Sequence, residues 1–336
     1  KAMIRYFIHR LILMAFVLFI VITVTFFVSV LSPGDPSSLW AGNHPTEEQL
    51  EAARKKFSLD KPVYVQYAKY VGQILKLNLG TSIRTQQPVS QELASRFLAT
   101  FELVTFSFIV ALALGFSIGI YVAINANTAT DYFFRGFSYL GMAFPAFWLG
   151  MILQLIFFGY LELLPLQGRN SFLDTYHNHK GLFLINSFIS GDWDRLIDTL
   201  LHLALPATTL AISIIGIIVR TVRSAALDTV DQNHFTTFLS YGFSRSEAFK
   251  KLAYKNTLIP FSTVSGLSYG LLLGGTFLLE VIFDWPGLGQ FSALSILTND
   301  YPAIMGATLL YALIYISVNI IIDLLYVLID PRVNVE

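Results

Sequence analysis

The sequence predicts an all-α, polytopic membrane protein of about six transmembrane helices, with short external surface helices and a compact helical pair on the cytoplasmic side. Three observations predict it. Apolar residues make up 54% of the 336 residues and charged ones 13%, about half the share of roughly a quarter found in soluble domains. Six runs reach the length of a membrane span. Basic residues gather in one short connection and are absent from another. Net charge is +0, which argues against general affinity for nucleic acid, and the lack of any cysteine excludes disulfides, thiolate nucleophiles and cysteine-held metals.

A span needs about 20 mostly apolar residues, because only an internally hydrogen-bonded helix crosses hydrocarbon without orphaned backbone groups. The six runs are 11–31, 98–124, 137–164, 200–219, 258–283 and 303–329. The first, behind Lys1, Arg5 and Arg10, resembles a secretory signal only superficially. It is longer than the ~7–15 residues of a signal core and ends in Leu31-Ser32-Pro33-Gly34-Asp35-Pro36, so it is read as a span. Arg220, Arg223, Arg245, Lys250, Lys251 and Lys255 place 220–257 in the cytoplasm, while the stretch from Asp284 to Tyr301 has no basic residue and is external. Segments 32–97 and 165–199 are then external, and both termini cytoplasmic. The whole of 1–336 is expected to form one transmembrane domain.

The first external segment carries helix signals. Thr46-Glu47-Glu48-Gln49 is a capping box ahead of Leu50, Ala53 and Phe57, with Arg54, Lys55 and Lys56 favouring the dipole of the last turn. A second helix begins near Pro62 and lines up Tyr67, Tyr70, Val71 and Ile74, the tyrosines suiting a headgroup boundary or a partner. Within the spans, small residues recur every fourth position: Ser107, Ala111, Gly115, Gly119 and Ala123 in the second, and Ser262, Gly266, Gly270 and Gly274 in the fifth. Such ridges serve close helix packing, either within the chain or at a subunit interface. Pro145 and Pro260 are expected to bend the third span and the start of the fifth.

The cytoplasmic stretch is the most informative. Asp231-Gln232-Asn233 supplies caps, Phe235, Phe238 and Leu239 follow at helical spacing, and Gly242 provides a left-handed stop. Ser244-Arg245-Ser246-Glu247 is a further capping box that opens a helix leading into the fifth span. An aromatic face held rigidly between two spans can receive mechanical work from a soluble partner. Equally, Phe235 and Phe238 can pack back onto the chain's own span ends, and the basic residues can attract anionic lipid.

Several segments together carry a resemblance: Pro33-Gly34-Asp35-Pro36; Leu59-Asp60-Lys61-Pro62-Val63-Tyr64-Val65-Gln66-Tyr67; Leu79-Gly80-Thr81-Ser82; and Leu205-Pro206-Ala207. With them go Asn256-Thr257-Leu258-Ile259-Pro260, Glu280-Val281-Ile282-Phe283, Trp285-Pro286-Gly287-Leu288-Gly289, Asp300-Tyr301-Pro302, Asp323-Leu324-Leu325-Tyr326 and Asp330-Pro331-Arg332. In this order, over nearly the whole chain, they resemble the B-type permease subunits of dipeptide, oligopeptide and nickel importers of the binding-protein-dependent ABC transporter family. The resemblance implies a non-catalytic permease subunit that pairs with a second, homologous permease, with two ATPase subunits and with an external solute-binding protein. It implies ATP and Mg on the ATPase subunits and no cofactor on this chain. It makes the segment around Gly242, with Phe235, Phe238, Leu239 and Glu247, the coupling helix that docks on the ATPase. The sequence departs from the family pattern there, with Phe238 and Ser240 where small alanines usually precede the glycine. Peptide is the implied solute, oligosaccharide and nickel complexes being the alternatives.

Other motifs lead elsewhere. Gly266-Leu267-Ser268-Tyr269-Gly270 matches a nucleophile elbow and raises an intramembrane serine hydrolase, but Ser268 is ~15 Å deep from the inner end of its span whereas His202 is near an outer end. The pair His177 and His179 lacks a carboxylate cluster and supports no metal site. No Walker-type phosphate loop occurs. Glu102 and Asp323 are ionisable residues within spans, with Asn319 one turn before the latter, and Arg220 or Arg223 is the expected partner of Asp323. A stand-alone secondary transporter or channel is the main rival, though neither midplane charges nor two interrupted, related halves are evident.

Overall fold

The computed structural model describes residues 2–31, 46–56, 60–172, 181–230 and 232–329. Among these the chain is helical, with no strand beyond an isolated bridge between Thr81 and Pro88. In order the helices are α1 (Ala2–Leu31), α2 (Glu47–Lys56), α3 (Val63–Leu75), α4 (Val89–Ile124), α5 (Ala129–Ala143), α6 (Ala146–Gln154, with a π-helical turn Leu155–Tyr160) and α7 (Phe183–Ser190). There follow α8 (Trp193–Val230), α9 (Asn233–Ser240), α10 (Arg245–Ala248, then a π-helical turn Phe249–Ala253), α11 (Tyr254–Gly275), α12 (Phe277–Ile282), α13 (Leu288–Leu297) and α14 (Tyr301–Ile329). Five are long and apolar enough to cross a membrane, and the bent pair α5 and α6 makes a sixth crossing if counted as one. The chain is an all-α, multi-pass membrane protein.

Its residues fall into two compact units, one formed by the chain up to 99 with 286–317, the other by 100–285 and the chain from 318. In the first, Val89 and Leu93 of α4 pack with Leu288 and Phe291 of α13 and with Ala303 and Ala307 of α14. Gly306 makes this possible, since a Cβ there would sit 2.6 Å from Val89 Cγ1. Asp300 ties the same unit together: wholly buried, it accepts from the Ser82 hydroxyl, from the Arg84 N–H at 3.1 Å and from the Ala303 N–H at the head of α14. The resembling segments around Ser82 and Asp300, more than 200 residues apart in sequence, are therefore one contact. Helix α3 follows Pro62, whose missing N–H costs nothing at a helix start. Its Tyr67 and Tyr70 do not face outward but stack on Phe26 and Phe27 of α1, and Tyr67 Oη shares a 2.7 Å hydrogen bond with Thr23. Tyr64 is left on the outer side.

In the second unit α8 is the axis, with α5, α6, α7 and α11 packed on it. The run 137–164 is not one straight span. Helix starts at Ala129, stops at Ala143, and resumes after a 105° bend. The cause is local: Phe144 precedes Pro145, whose ring drives it out of the helical region to φ −94 and ψ 141. The run 258–283 is likewise two helices, α11 and α12, interrupted at Thr276, and α11 runs on through Pro260. The ridge of α4 lies inside the unit, because a Cβ on Gly115 would meet Ile218 at 2.7 Å and one on Gly119 would meet Val222 at 2.6 Å. The ridge of α11 is looser: a Cβ on Gly270 would stand 3.6 Å from Val318, Gly266 is half-buried, and nothing lies within 4 Å of a Cβ on Gly274.

Candidate functional site

The segment joining α8 to α11 is a two-part knob. Helix α9 ends on Tyr241 and Gly242, the latter at φ +86, a conformation that a side chain would strain although the space beside it is open. The chain then reverses, Gly242 N–H bonding to Leu239 O at 3.0 Å, and enters α10 through the capping box. Ser244 N–H donates to the Glu247 carboxylate at 2.9 Å and Glu247 N–H donates back to Ser244 Oγ at 3.3 Å. Glu247 is thus engaged in holding the start of α10.

The two phenylalanines of α9 turn inward. Phe235, 2% exposed, sits among Ala123 of α4, Ala226 of α8 and Ala248, Phe249 and Ala253 of the α10 segment. Phe238 is partly buried against that cluster, its ring 5.1 Å from Phe243. This arrangement leaves a different set outward: Leu239, Phe243 and above all Tyr241, 79% exposed. The ammonium of Lys251 stands 4.5 Å over the Phe243 ring and adds positive charge to the patch. Sequence spacing pointed to Phe235 and Phe238 because both follow the apolar period of α9. The alanines that receive them come from three other helices, so the direction of burial was not legible. Tyr241 was missed because it stands at the C-cap, outside the period.

Among the described residues of this unit, several buried charged groups have identified partners. Glu102 of α4 accepts from Arg169 Nε at 3.1 Å and from its Nη2, and also from the Leu184 N–H at 2.7 Å. Arg169 reaches the Gly181 carbonyl at 2.9 Å, and its guanidinium lies 3.8 Å over the Phe183 ring and 5.8 Å from that of Trp285. Burial lowers the affinity of this guanidinium for its proton, and the Glu102 carboxylate opposes that. Asp131, at the start of α5, holds Arg223 of α8 through bonds of 3.0 and 2.8 Å and Arg135 one turn on. Arg223, an expected partner of Asp323, is therefore taken by Asp131, and the Asp323 side chain lies outside the described residues, as do His177 and His179. Glu280 is wholly buried and accepts from the Thr100 hydroxyl at 2.7 Å. None of Arg169, Asp131 or Glu280 had been singled out as a charged partner, because each pairs with a residue remote in sequence.

Among the described residues, no hydrolytic centre forms around Ser268. It lies within the continuous helix α11 and not on a strand-to-helix turn, and His202 Nδ1 is engaged with the Asp198 carbonyl at 2.9 Å.

Comparison with known proteins shows the family of the chain. Residues 115–335 match the family described as binding-protein-dependent transport system inner membrane component, and residues 3–104 match its N-terminal companion. A probable D,D-dipeptide transport system permease of Escherichia coli is 39% identical over 315 residues, 94% of this chain and 93% of that protein. A dipeptide transport system permease of Alkalihalophilus pseudofirmus is 35% identical over 332 residues, 99% of this chain and 100% of its own length. A glutathione transport system permease of Salmonella paratyphi A is 34% identical over 332 residues, 99% of each. The helical membrane architecture and these full-length matches agree: the chain belongs to the family of binding-protein-dependent transport system inner membrane components, the non-catalytic permease subunits of ABC importers.

Proposed function

We propose that this chain forms half of the translocation path of an importer of short peptides, beside a second, homologous permease. Two ATPase subunits, carrying ATP and Mg, dock on the cytoplasmic knobs, and an external binding protein delivers the solute. The observation that carries the peptide reading is similarity along nearly the full length to permeases named for dipeptide and glutathione transport. The knob supports the docking. It offers Leu239, Tyr241 and Phe243 outward while Phe235 anchors it to α4 and α8, so a push on the patch reaches two span-length helices. Closure of the ATPases moves the knob, and the spans exchange between discrete packings that open the path to one side or the other. In this reading both termini are cytoplasmic, as the basic residues of 220–257 require.

The test is reconstitution in liposomes with the second permease, the ATPases and the binding protein. Accumulation of a labelled dipeptide that needs ATP is the expected result. Transport at full rate by the purified chain alone would overturn the assignment.

A further inference from the structure

Helix α7 leaves large apolar side chains exposed, Ile185, Phe188 and Ile189 among them. Spacing along Phe183–Ser190 puts Asn186, Ser187 and Ser190 on one side and Leu184, Ile185, Phe188 and Ile189 on the other. On the polar side only Ser187 is buried, at 7% exposed, while Asn186 and Ser190 are exposed and line, with Phe183, Ile189, Arg195 and Thr199, an open cavity of about 360 Å³. The apolar side faces out, Phe188 being 64% and Ile189 77% exposed. A surface helix surrounded by water shows the opposite arrangement.

The apolar side does not end with α7. Gly191, at φ +70, turns the chain into α8, where Trp193, Ile197, Leu200 and Leu201 continue the exposed apolar stripe at helical spacing. Trp193 meets Phe188 edge to face, the ring centroids 6.1 Å apart. The stripe thus continues past exposed Ser190, Gly191 and Asp194 from α7 onto a span-length helix. Its composition separates two possible covers. Helix interfaces between membrane subunits favour small residues, as the ridge of Gly115 and Gly119 shows within this chain. The stripe has none, and it carries a tryptophan at the end of the span, where aromatic residues mark the membrane boundary.

We infer that α7 lies in the boundary layer of the bilayer, with lipid covering Ile185, Phe188, Ile189 and Trp193, and that the segment 165–199 is in part a membrane-seated element. The inference stands apart from the identity of the solute and from the docking of the ATPase.

The chain has no cysteine, so single cysteines can be labelled without background on the purified chain before it is assembled with its partners. Nitroxide labels at Ile185→Cys, Phe188→Cys, Ile189→Cys and Ile197→Cys are compared with one at Asn186→Cys, in the complete transporter in phosphatidylethanolamine and phosphatidylglycerol vesicles. The outward labels are expected to collide with oxygen several-fold more, relative to a water-soluble nickel chelate, than the label at 186. Nickel access at 188 and 189 equal to that at 186 would put water on this face and overturn the inference. Exclusion of both reagents in the complete transporter, with oxygen admitted in the isolated chain, would put a protein partner there and overturn it equally.

Discussion

Within the second unit, the part of α4 from residue 100 onward is held by opposite means at its start and at its end. At Glu102 the helix is fixed by a buried ion pair with Arg169 and by the Leu184 N–H, each bond directional. At Ala123, 21 residues and about 32 Å further along, the contacts are apolar: Ala123, Ala226, Ala248 and Ala253 form a seat for Phe235 and Phe249. A directional, desolvated pair tolerates little displacement, because a shift leaves charge buried without its partner. Apolar contact is non-directional, and a seat of methyl groups lets aromatic rings slide without orphaning a polar atom. The first contact resists displacement, and in the reading proposed above the second is where the knob moves.

The largest effect should come from breaking the fixed end. Arg169→Met leaves the Glu102 carboxylate buried without its cation and should cost about 3–5 kcal/mol, seen as a large fall in the thermal midpoint of the purified transporter. Adding Glu102→Gln should recover most of it. If the double variant is as unstable as the single one, the pair is not what fixes this end. Next comes Phe235→Ala, which empties the seat at the other end and should cost about 3 kcal/mol, the low side of the range for phenylalanine truncation because neighbouring side chains can close in. That loss should show as protease sensitivity confined to the segment 233–253, with the spans intact. A knob as resistant as the native one would mean that the ring is not its anchor.

That contrast was only half legible in the sequence. The stop at Gly242 and the capping box at Ser244 are local signals, written within a few residues of where they act, and each has its counterpart in the structure. Pairings that join distant segments were not. Arg169 is one of three basic residues in the segment 165–199 until Glu102 is brought to it, and Asp131 is a helix-start acid until Arg223 arrives from α8. The bend at Pro145 was signalled by the proline, but its 105° size was not, because the size depends on how α5 and α6 each pack against α8. The inward turn of Phe235 was open for the same reason, since alanine seats on three helices have no sequence signature of their own.

The outward patch sharpens the comparison from the other direction. Leu239→Asp changes a side chain that is 40% exposed and outside the seat, so stability should stay within about 0.5 kcal/mol. Binding of the ATPase subunits, if the patch is the docking face proposed above, should weaken about 30-fold, the equivalent of a hot-spot loss near 2 kcal/mol. ATP hydrolysis would then proceed without uptake. Equal affinity for native and variant chains would move the docking face elsewhere on the knob.

The smallest effect isolates the hinge between the knob's two halves. Ser244→Ala removes the hydroxyl that accepts from Glu247 N–H, while the Glu247 carboxylate keeps its bond to the backbone N–H of residue 244. Loss of such a cap costs about 1 kcal/mol, a shift hard to see in a thermal midpoint. Helix α10 has only four residues before the π-helical turn, so the cost falls on one turn of helix and should appear locally. Amide exchange over 245–248 should quicken about 5-fold, the factor that 1 kcal/mol implies for a local opening equilibrium. Ser244→Thr, which keeps the acceptor, should restore the native rate. If exchange quickens and coupling of hydrolysis to uptake falls with it, force passes from Gly242 into α11 through this capped turn. If exchange quickens and coupling does not change, α10 is no part of the lever, and the movable end of α4 is driven through Phe235 alone.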